Sequence, residues 1–148
     1  MFNFFKKNKK INQFSDNKFL NSFTDEQKGA IFYTLMLVAT IKGSIDNSKM
    51  NYIINQTKIL NFNFENPVMS VYKTKKSDYA YSIIKRYSDS QKGWYSVVLG
   101  TILLVNGKEP TEDEFTLVYF IASQCGINED EFDEYNTNAQ LFMNNFLK

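Results

Sequence analysis

The feature that most constrains this chain is an internal repeat. The segment Thr24-Asp-Glu-Gln-Lys-Gly29 returns 64 residues later as Ser88-Asp-Ser-Gln-Lys-Gly93, and the same offset runs through an apolar stretch to Gly43 and Gly107. One residue inserted near Glu109 makes the offset 65, which sets Met50, Ile53, Ile54, Thr57 and Leu60 on Phe115, Val118, Tyr119, Ala122 and Cys125. Asn61-Phe-Asn63 then falls on Gly126-Ile-Asn128. A box, a glycine and a shared apolar period do not coincide readily by chance. The chain is therefore read as two similar units, residues 24–63 and 88–128.

Each unit reads as two helices joined by a tight turn. Thr24 with Gln27, and Ser88 with Gln91, fit capping boxes that start the first helices. Those helices are apolar nearly all round (Ile31, Phe32, Leu35, Met36, Leu37 and Val38; Trp94, Val97, Val98, Leu99, Ile102 and Leu103), which suits the centre of a bundle. Gly43 and Gly107 supply the left-handed stop. Asp46 and Thr111 are N-cap candidates for the second helices, and Glu114 closes a box with Thr111. The repeat-aligned positions from Met50 and Phe115 onward predict one inward stripe on each second helix.

Outside the repeats, Tyr79, Ile83, Ile84 and Tyr87 predict a helix over about 77–87, and Pro67 suits the start of a short one before it. Asn128 with Glu131 caps a last helix with Phe132, Tyr135, Ala139, Phe142, Met143 and Phe146 on one face. Ile11, Phe14 and Phe23 imply a short N-terminal element. No run alternates with period two, so no sheet is expected. The predicted fold is all-α, a single-domain bundle of about seven helices built on a two-helix duplication. Residues 1–23 form a basic, aromatic N-terminal segment with a short helix, and residues 24–148 form the helical domain.

Composition removes most catalytic chemistry. The 148 residues include no histidine and one cysteine. Histidine-based nucleophilic catalysis, imidazole metal sites, disulfide frameworks and paired-cysteine redox or zinc sites are thereby excluded. No carboxylate pair or glycine-rich phosphate loop stands out, so no catalytic residue and no cofactor is assigned. Cys125 aligns with Leu60 and reads as a small buried hydrophobe rather than a reactive thiol. Trp94 reads as packing rather than a stacking platform.

The net charge of +1 hides a strong polarity. Residues 1–108 carry 16 basic and 7 acidic side chains, a local net of +9, whereas residues 109–148 carry 9 acids against Lys148, a net of −8. Either two opposed faces of one domain lie side by side, or one face recruits a charged partner or a second copy head to tail. Lys73, Lys75, Lys76, Lys85, Arg86 and Lys92 form the basic stretch, interleaved with Tyr72, Tyr79, Tyr81 and Tyr87. Base stacking needs that mixture, but the tyrosines keep the spacing of a helix face and one arginine serves the whole chain, so nucleic acid is disfavoured. Glu109, Glu112, Asp113, Glu129, Asp130, Glu131, Asp133 and Glu134 form the acidic counterpart, read as solvated helix starts or as the dock of a basic protein partner.

The first ten residues, Met-Phe-Asn-Phe-Phe-Lys-Lys-Asn-Lys-Lys, lack the pattern of a secretory signal. The longest apolar runs, 30–41 and 94–105, are about twelve residues each, short of the about twenty that span a bilayer. Phe2, Phe4 and Phe5 beside four lysines suit either peripheral contact with an anionic membrane or a terminus that frays or docks. A cytoplasmic chain is the expectation.

Two apolar helices, each ending in a glycine turn before an amphipathic helix, resemble the tellurite-resistance TerB-like family over roughly residues 24–147. The turns carrying the resemblance are Ile41-Lys-Gly-Ser-Ile-Asp46 and Val105-Asn-Gly-Lys-Glu-Pro-Thr111. The resemblance implies a duplicated all-helical domain whose turns carry an Ala-Asp-Gly segment and a downstream acid, pairs suited to a hard cation. Here the first Asp position is Lys42 in one turn and Asn106 in the other, and the downstream acid is Lys49 in one and Glu114 in the other. Two lysines oppose a divalent cation in the first unit. Asn106, Glu112, Asp113 and Glu114 remain as weak ligand candidates in the second, where the helix dipole also accounts for three acids at a helix start. The expectation is that metal binding has been lost.

The leading reading is a non-enzymatic TerB-like domain acting in a stress response or as a protein-interaction scaffold. The runner-up is a regulatory or immunity-type protein that docks a charged partner. The interaction residues expected are Lys42, Lys49, Lys73, Lys75, Lys76, Lys85, Arg86, Glu109, Glu129 and Asp130. An enzyme using carboxylates and lysine has the least support.

Overall fold

Polar side chains placed to bind free backbone N–H groups set where the helices begin, and those starts set the architecture. A computed structural model describes residues 17–147 of the protein, with side chains through residue 139. Among those residues there are seven α-helices and no strand: α1 (Asn17–Leu20), α2 (Asp25–Ala39), α3 (Asn47–Ile59), α4 (Val68–Lys85), α5 (Asp89–Thr101), α6 (Glu112–Gln124) and α7 (Glu129–Leu147). A single 3₁₀ turn, Ile102–Leu104, extends α5. The expected all-α bundle is the observed fold.

The capping boxes form as the sequence predicts. Thr24 Oγ1 accepts from the Gln27 amide and Gln27 Oε1 from the Thr24 amide; Ser88 with Gln91 and Thr111 with Glu114 repeat the exchange. Each box satisfies two donors that a helix start otherwise leaves unpaired. Asp46 caps α3 by accepting from the amides of Ser48 and Lys49. Asn128 accepts from the Glu131 amide, as expected for the start of α7.

The stops match as well. Gly43 and Gly107 adopt φ of +83° and +71°, a region that costs a side-chain-bearing residue about 1–2 kcal/mol. Helices α3 and α6 each end on a left-handed residue, Asn61 (φ 52°) and Gly126 (φ 76°). The amides of Phe62 and Ile127 then close back on the carbonyls of Thr57 and Ala122, both at 2.9 Å. This six-residue closure occupies carbonyls that the helix end leaves free.

Helices α2 and α5 supply the centre. Ala30, Ile31, Phe32, Leu35 and Val38 of α2 and Tyr95 and Leu99 of α5 are essentially buried or nearly so, with Trp94 and Val98 beside them. Each such aliphatic or aromatic side chain stabilises the fold by about 1.5–3 kcal/mol relative to exposure. Thr34 and Tyr95 join the two helices by a buried hydroxyl pair at 2.6 Å. Helix α2 packs chiefly on α4, and α5 packs chiefly on α7. A glycine permits each approach: a methyl on Gly29 would stand 2.7 Å from Tyr72 Cε2, and one on Gly93 would stand 2.5 Å from Tyr135 Cε1.

One expectation gains a detail, and two need correction or restriction. The two helices expected on either side of residue 77 are both present within α4, parted by a kink at Lys76, whose backbone is non-helical at φ 62° and ψ −155°. That backbone costs roughly 1–3 kcal/mol, because a Cβ crowds the peptide there. The second-helix stripes bury Ile53, Thr57, Leu60, Val118, Ala122 and Cys125, but Ile54 and Phe115 stay 38% and 42% exposed. A helix at the rim of a bundle buries a narrower arc than its apolar stripe covers. On the last helix Phe132 and Ala139 are buried, while Phe142, Met143 and Phe146, like Ile11, Phe14 and the proposed membrane segment 1–10, lie outside the described side chains. No helix among the described residues is long and apolar enough to cross a membrane.

Candidate functional site

The two glycine turns meet. Asp46, capping α3, and Asn106, in the second turn, are joined by a hydrogen bond from Asn106 Nδ2 to Asp46 Oδ2 at 3.3 Å. Lys49, one turn into α3, places its Nζ 2.9 Å from Glu114 Oε2 and 3.4 Å from Asp46 Oδ2. Lys49 and Glu114 are 2% and 3% exposed. Glu114 Oε1 accepts from the amide and hydroxyl of Thr111. Its buried Oε2 receives no directed hydrogen bond, so the Lys49 contact there is one of charge rather than of aligned donor and acceptor. A small pocket of about 150 Å³, with Ile41, Lys42 and Ser44 in its lining, opens beside the pair.

The charges settle one another. Burial works against the Lys49 ammonium, yet Glu114 and then Asp46 outweigh it and hold Lys49 above the ordinary 10.5. Burial likewise opposes ionisation of Glu114, but Lys49 and the Thr111 amide bring it below 4.5. The Lys49 amide is the largest influence holding Asp46 below 3.8. A lysine ammonium therefore occupies the space between the two turns' carboxylates. Removing either member of such a buried pair costs far more than the pair itself contributes.

The expected site residues divide sharply. Lys49 and Glu114 are internal, so Lys49 is not an exposed docking charge, and Glu114 is a cap and ion-pair partner rather than a solvated acid near a helix dipole. Glu112 and Asp113 are exposed at the start of α6, as that dipole predicts. Lys42, Lys73, Lys75, Lys76, Lys85, Arg86, Glu109, Glu129 and Asp130 are all exposed. Tyr72, Tyr81 and Tyr87 are buried, which leaves the basic stretch without a row of bases-facing rings; Tyr79 instead receives Lys75 Nζ at 4.7 Å from its centre. Cys125 is buried, and burial pushes its thiol up to about 12. Trp94 packs 5.3 Å from Phe23. No group of three or more histidine, cysteine, aspartate or glutamate side chains among the described residues is placed to hold a metal ion.

The sequence did not announce a second feature, an apolar groove of about 600 Å³ between the end of α5, α6 and α7. Leu104, Phe115, Tyr119, Phe132, Asp133 and Asn136 are among its lining residues. Leu104 is 61% exposed. Tyr119 donates a hydrogen bond to Asp133 across the groove, and that bond pushes the phenol up to about 12. A signal for the groove does exist in the repeat: Leu104 stands where the first unit has Thr40, an apolar residue in place of a polar one.

No protein-family model, curated protein or solved structure matches the chain.

Proposed function

We propose that this chain is a non-enzymatic, TerB-like helical domain that works as a protein-interaction scaffold, with stress response the setting its resemblance implies. In this reading two units of common origin have diverged, and the second has gained an apolar groove against α7. The observation that carries it is the groove, in which Leu104 and Phe115 stay exposed beside Tyr119 and Phe132. Contiguous apolar surface left open to water favours a partner that covers it. Glu112 shares the α6 stripe with Phe115 and Tyr119, and Glu129 shares the α7 stripe with Asp133 and Asn136, so the margin selects a basic partner. The Lys49 ammonium supports the loss of metal binding, since a divalent cation would have to displace a charge bonded to the same carboxylates.

The test is a titration of a labelled, lysine- and leucine-rich amphipathic helical peptide, followed by anisotropy. It should bind, and Glu112→Lys with Glu129→Lys should weaken it at least tenfold. Equal binding by the charge-reversed protein, or none by the parent, overturns the docking reading. Calorimetry with calcium, magnesium or zinc should show no specific site; micromolar binding would overturn the loss of metal.

A further inference from the structure

We propose that the groove recognises a primary ammonium carried on an apolar stem, the chemistry of a partner's lysine side chain, and that Asp133 and Asn136 receive it. This rests on the reading of the groove as a docking surface, and it names the group that the surface selects.

The N–H and phenol donors of the lining are already spent. Tyr119 gives its phenol proton to Asp133. That bond, burial and the charges of Asp133 and Glu129 all raise the phenol, so the proton stays on Tyr119 at neutral pH. Asn136 Nδ2 donates to the carbonyls of Ser96 at 3.0 Å and Phe132 at 2.9 Å, which uses both of its N–H bonds. Those two carbonyls also fix the amide's orientation, because the opposite one would set oxygen against oxygen. Asn136 Oδ1 is thereby turned over Gly100, where a methyl would fall on it. The glycine lets the amide lie there; the first unit has Met36 at the corresponding position.

What the lining offers is acceptors. A carboxylate has about four lone-pair sites, and Tyr119 takes one of those of Asp133; Asn136 Oδ1 adds a second accepting group. Thr101 and Thr137 carry hydroxyls, which serve either way. No lysine or arginine is among the described residues that line the groove. Asp133 and Asn136 stand three residues apart on α7, neighbours on one helix face, so one ammonium can reach both. Leu104, Phe115 and Phe132 supply apolar surface in the same lining, and a lysine buries its methylene stem along such surface while its head keeps to polar groups. Other occupants fit worse. A carboxylate or phosphate would bring its charge against that of Asp133. A wholly apolar side chain would cover the Asp133 carboxylate without supplying a counter-charge.

The experiment uses the full chain and two kinds of probe. The lysine–leucine peptide should bind Asp133→Asn at least fivefold more weakly than the parent. Asp130→Asn removes an exposed acid of the same helix that does not line the groove, and it should change binding by less than twofold. Phenylbutylamine, phenylbutanol and phenylbutyrate share one apolar body and differ in the head. Followed by the amide resonances of Gly100, Asp133 and Asn136, the amine should bind at least tenfold more tightly than the carboxylate, and its advantage over the alcohol should vanish in Asp133→Asn. A carboxylate that binds as well as the amine overturns the proposal, as do amine-induced shifts confined to residues outside the groove, or an equal loss in Asp130→Asn. If the peptide binds the parent and Asp133→Asn equally, the ammonium recognition alone has failed; if it binds neither, the docking surface itself has.

Discussion

The turn at Gly43 and the turn at Gly107 share a build and differ in what they contribute. Both have a left-handed glycine, both lead into a capped helix, and both helices end in the same six-residue closure. The first then contributes a cation, Lys49, and the second an anion, Glu114, at corresponding positions. Their meeting is buried and closed. One helical turn after Thr111, the second turn's helix leaves Phe115 at an open groove. The difference teaches that one local frame, fixed by backbone hydrogen bonds, tolerates side chains of opposite charge and polarity because the frame does not depend on them.

The largest test of that comparison is Lys49→Met. It leaves Glu114 buried without its counter-charge and should cost about 3–5 kcal/mol in denaturant unfolding. Adding Glu114→Met should restore part of it, because two apolar groups of similar volume need no pairing, less the about 1 kcal/mol that the Thr111–Glu114 capping box contributes. A cost below about 1 kcal/mol for the single substitution would mean that the two turns are held together by Asp46 and Asn106 instead. The pH profile carries the same logic. Asp46 and Glu114 titrate below their ordinary 3.8 and 4.5, so their contribution is complete above those values and is lost as pH falls through the depressed ones. Lys49 titrates above its ordinary 10.5, so its contribution is present below that value and is lost as pH rises through the raised one. Stability should be level between the two limits and decline at both ends in the parent. In the Lys49→Met/Glu114→Met protein the acid decline should be shallower and the alkaline one reduced.

The sequence made one part of this legible and hid another, for a physical reason. Caps and glycine stops are local: Thr24 and Gln27 lie three residues apart, and the bond between them needs no distant partner. Those elements were readable from residues 24, 88, 111, 43 and 107 alone. Lys49 reads as an exposed charge because its nearer partner, Glu114, lies 65 residues along the chain, and only the packing of two turns brings it within 2.9 Å. Phe115 was read as core because a period places a residue on a face but does not say how wide an arc a rim helix buries. The pairing of α2 with α4, and of α5 with α7, was hidden in the same way, although Gly29 and Gly93 in the repeated box marked where each partner approaches.

Those two glycines give the intermediate test. Gly29→Ala and Gly93→Ala each force a methyl against a tyrosine ring, and overpacking of this kind costs about 1–3 kcal/mol. The two should not cost the same. Tyr72 is fully buried and its hydroxyl donates to the Glu26 carbonyl at 2.5 Å, so its ring is held at both ends. Tyr135 is half-buried, so its ring is less confined. Thermal unfolding should place Gly29→Ala at the upper end of the range and Gly93→Ala at the lower. The reverse order would mean that the α5–α7 contact, not α2–α4, is the more tightly fixed of the two.

The smallest expected effect on stability is the most pointed for function. Leu104→Thr gives the second unit the residue that the first has at Thr40. Leu104 is 61% exposed, so the change should move stability by no more than about 0.5 kcal/mol in either direction. The groove loses an apolar residue, however, and binding of the lysine–leucine peptide should fall by about tenfold, equivalent to about 1.4 kcal/mol. Phe115→Ser should act in the same sense. If Leu104→Thr instead destabilises the fold by more than about 1 kcal/mol, Leu104 serves the bundle and not a partner. The case for the groove as a docking surface would then rest on Phe115 and Tyr119.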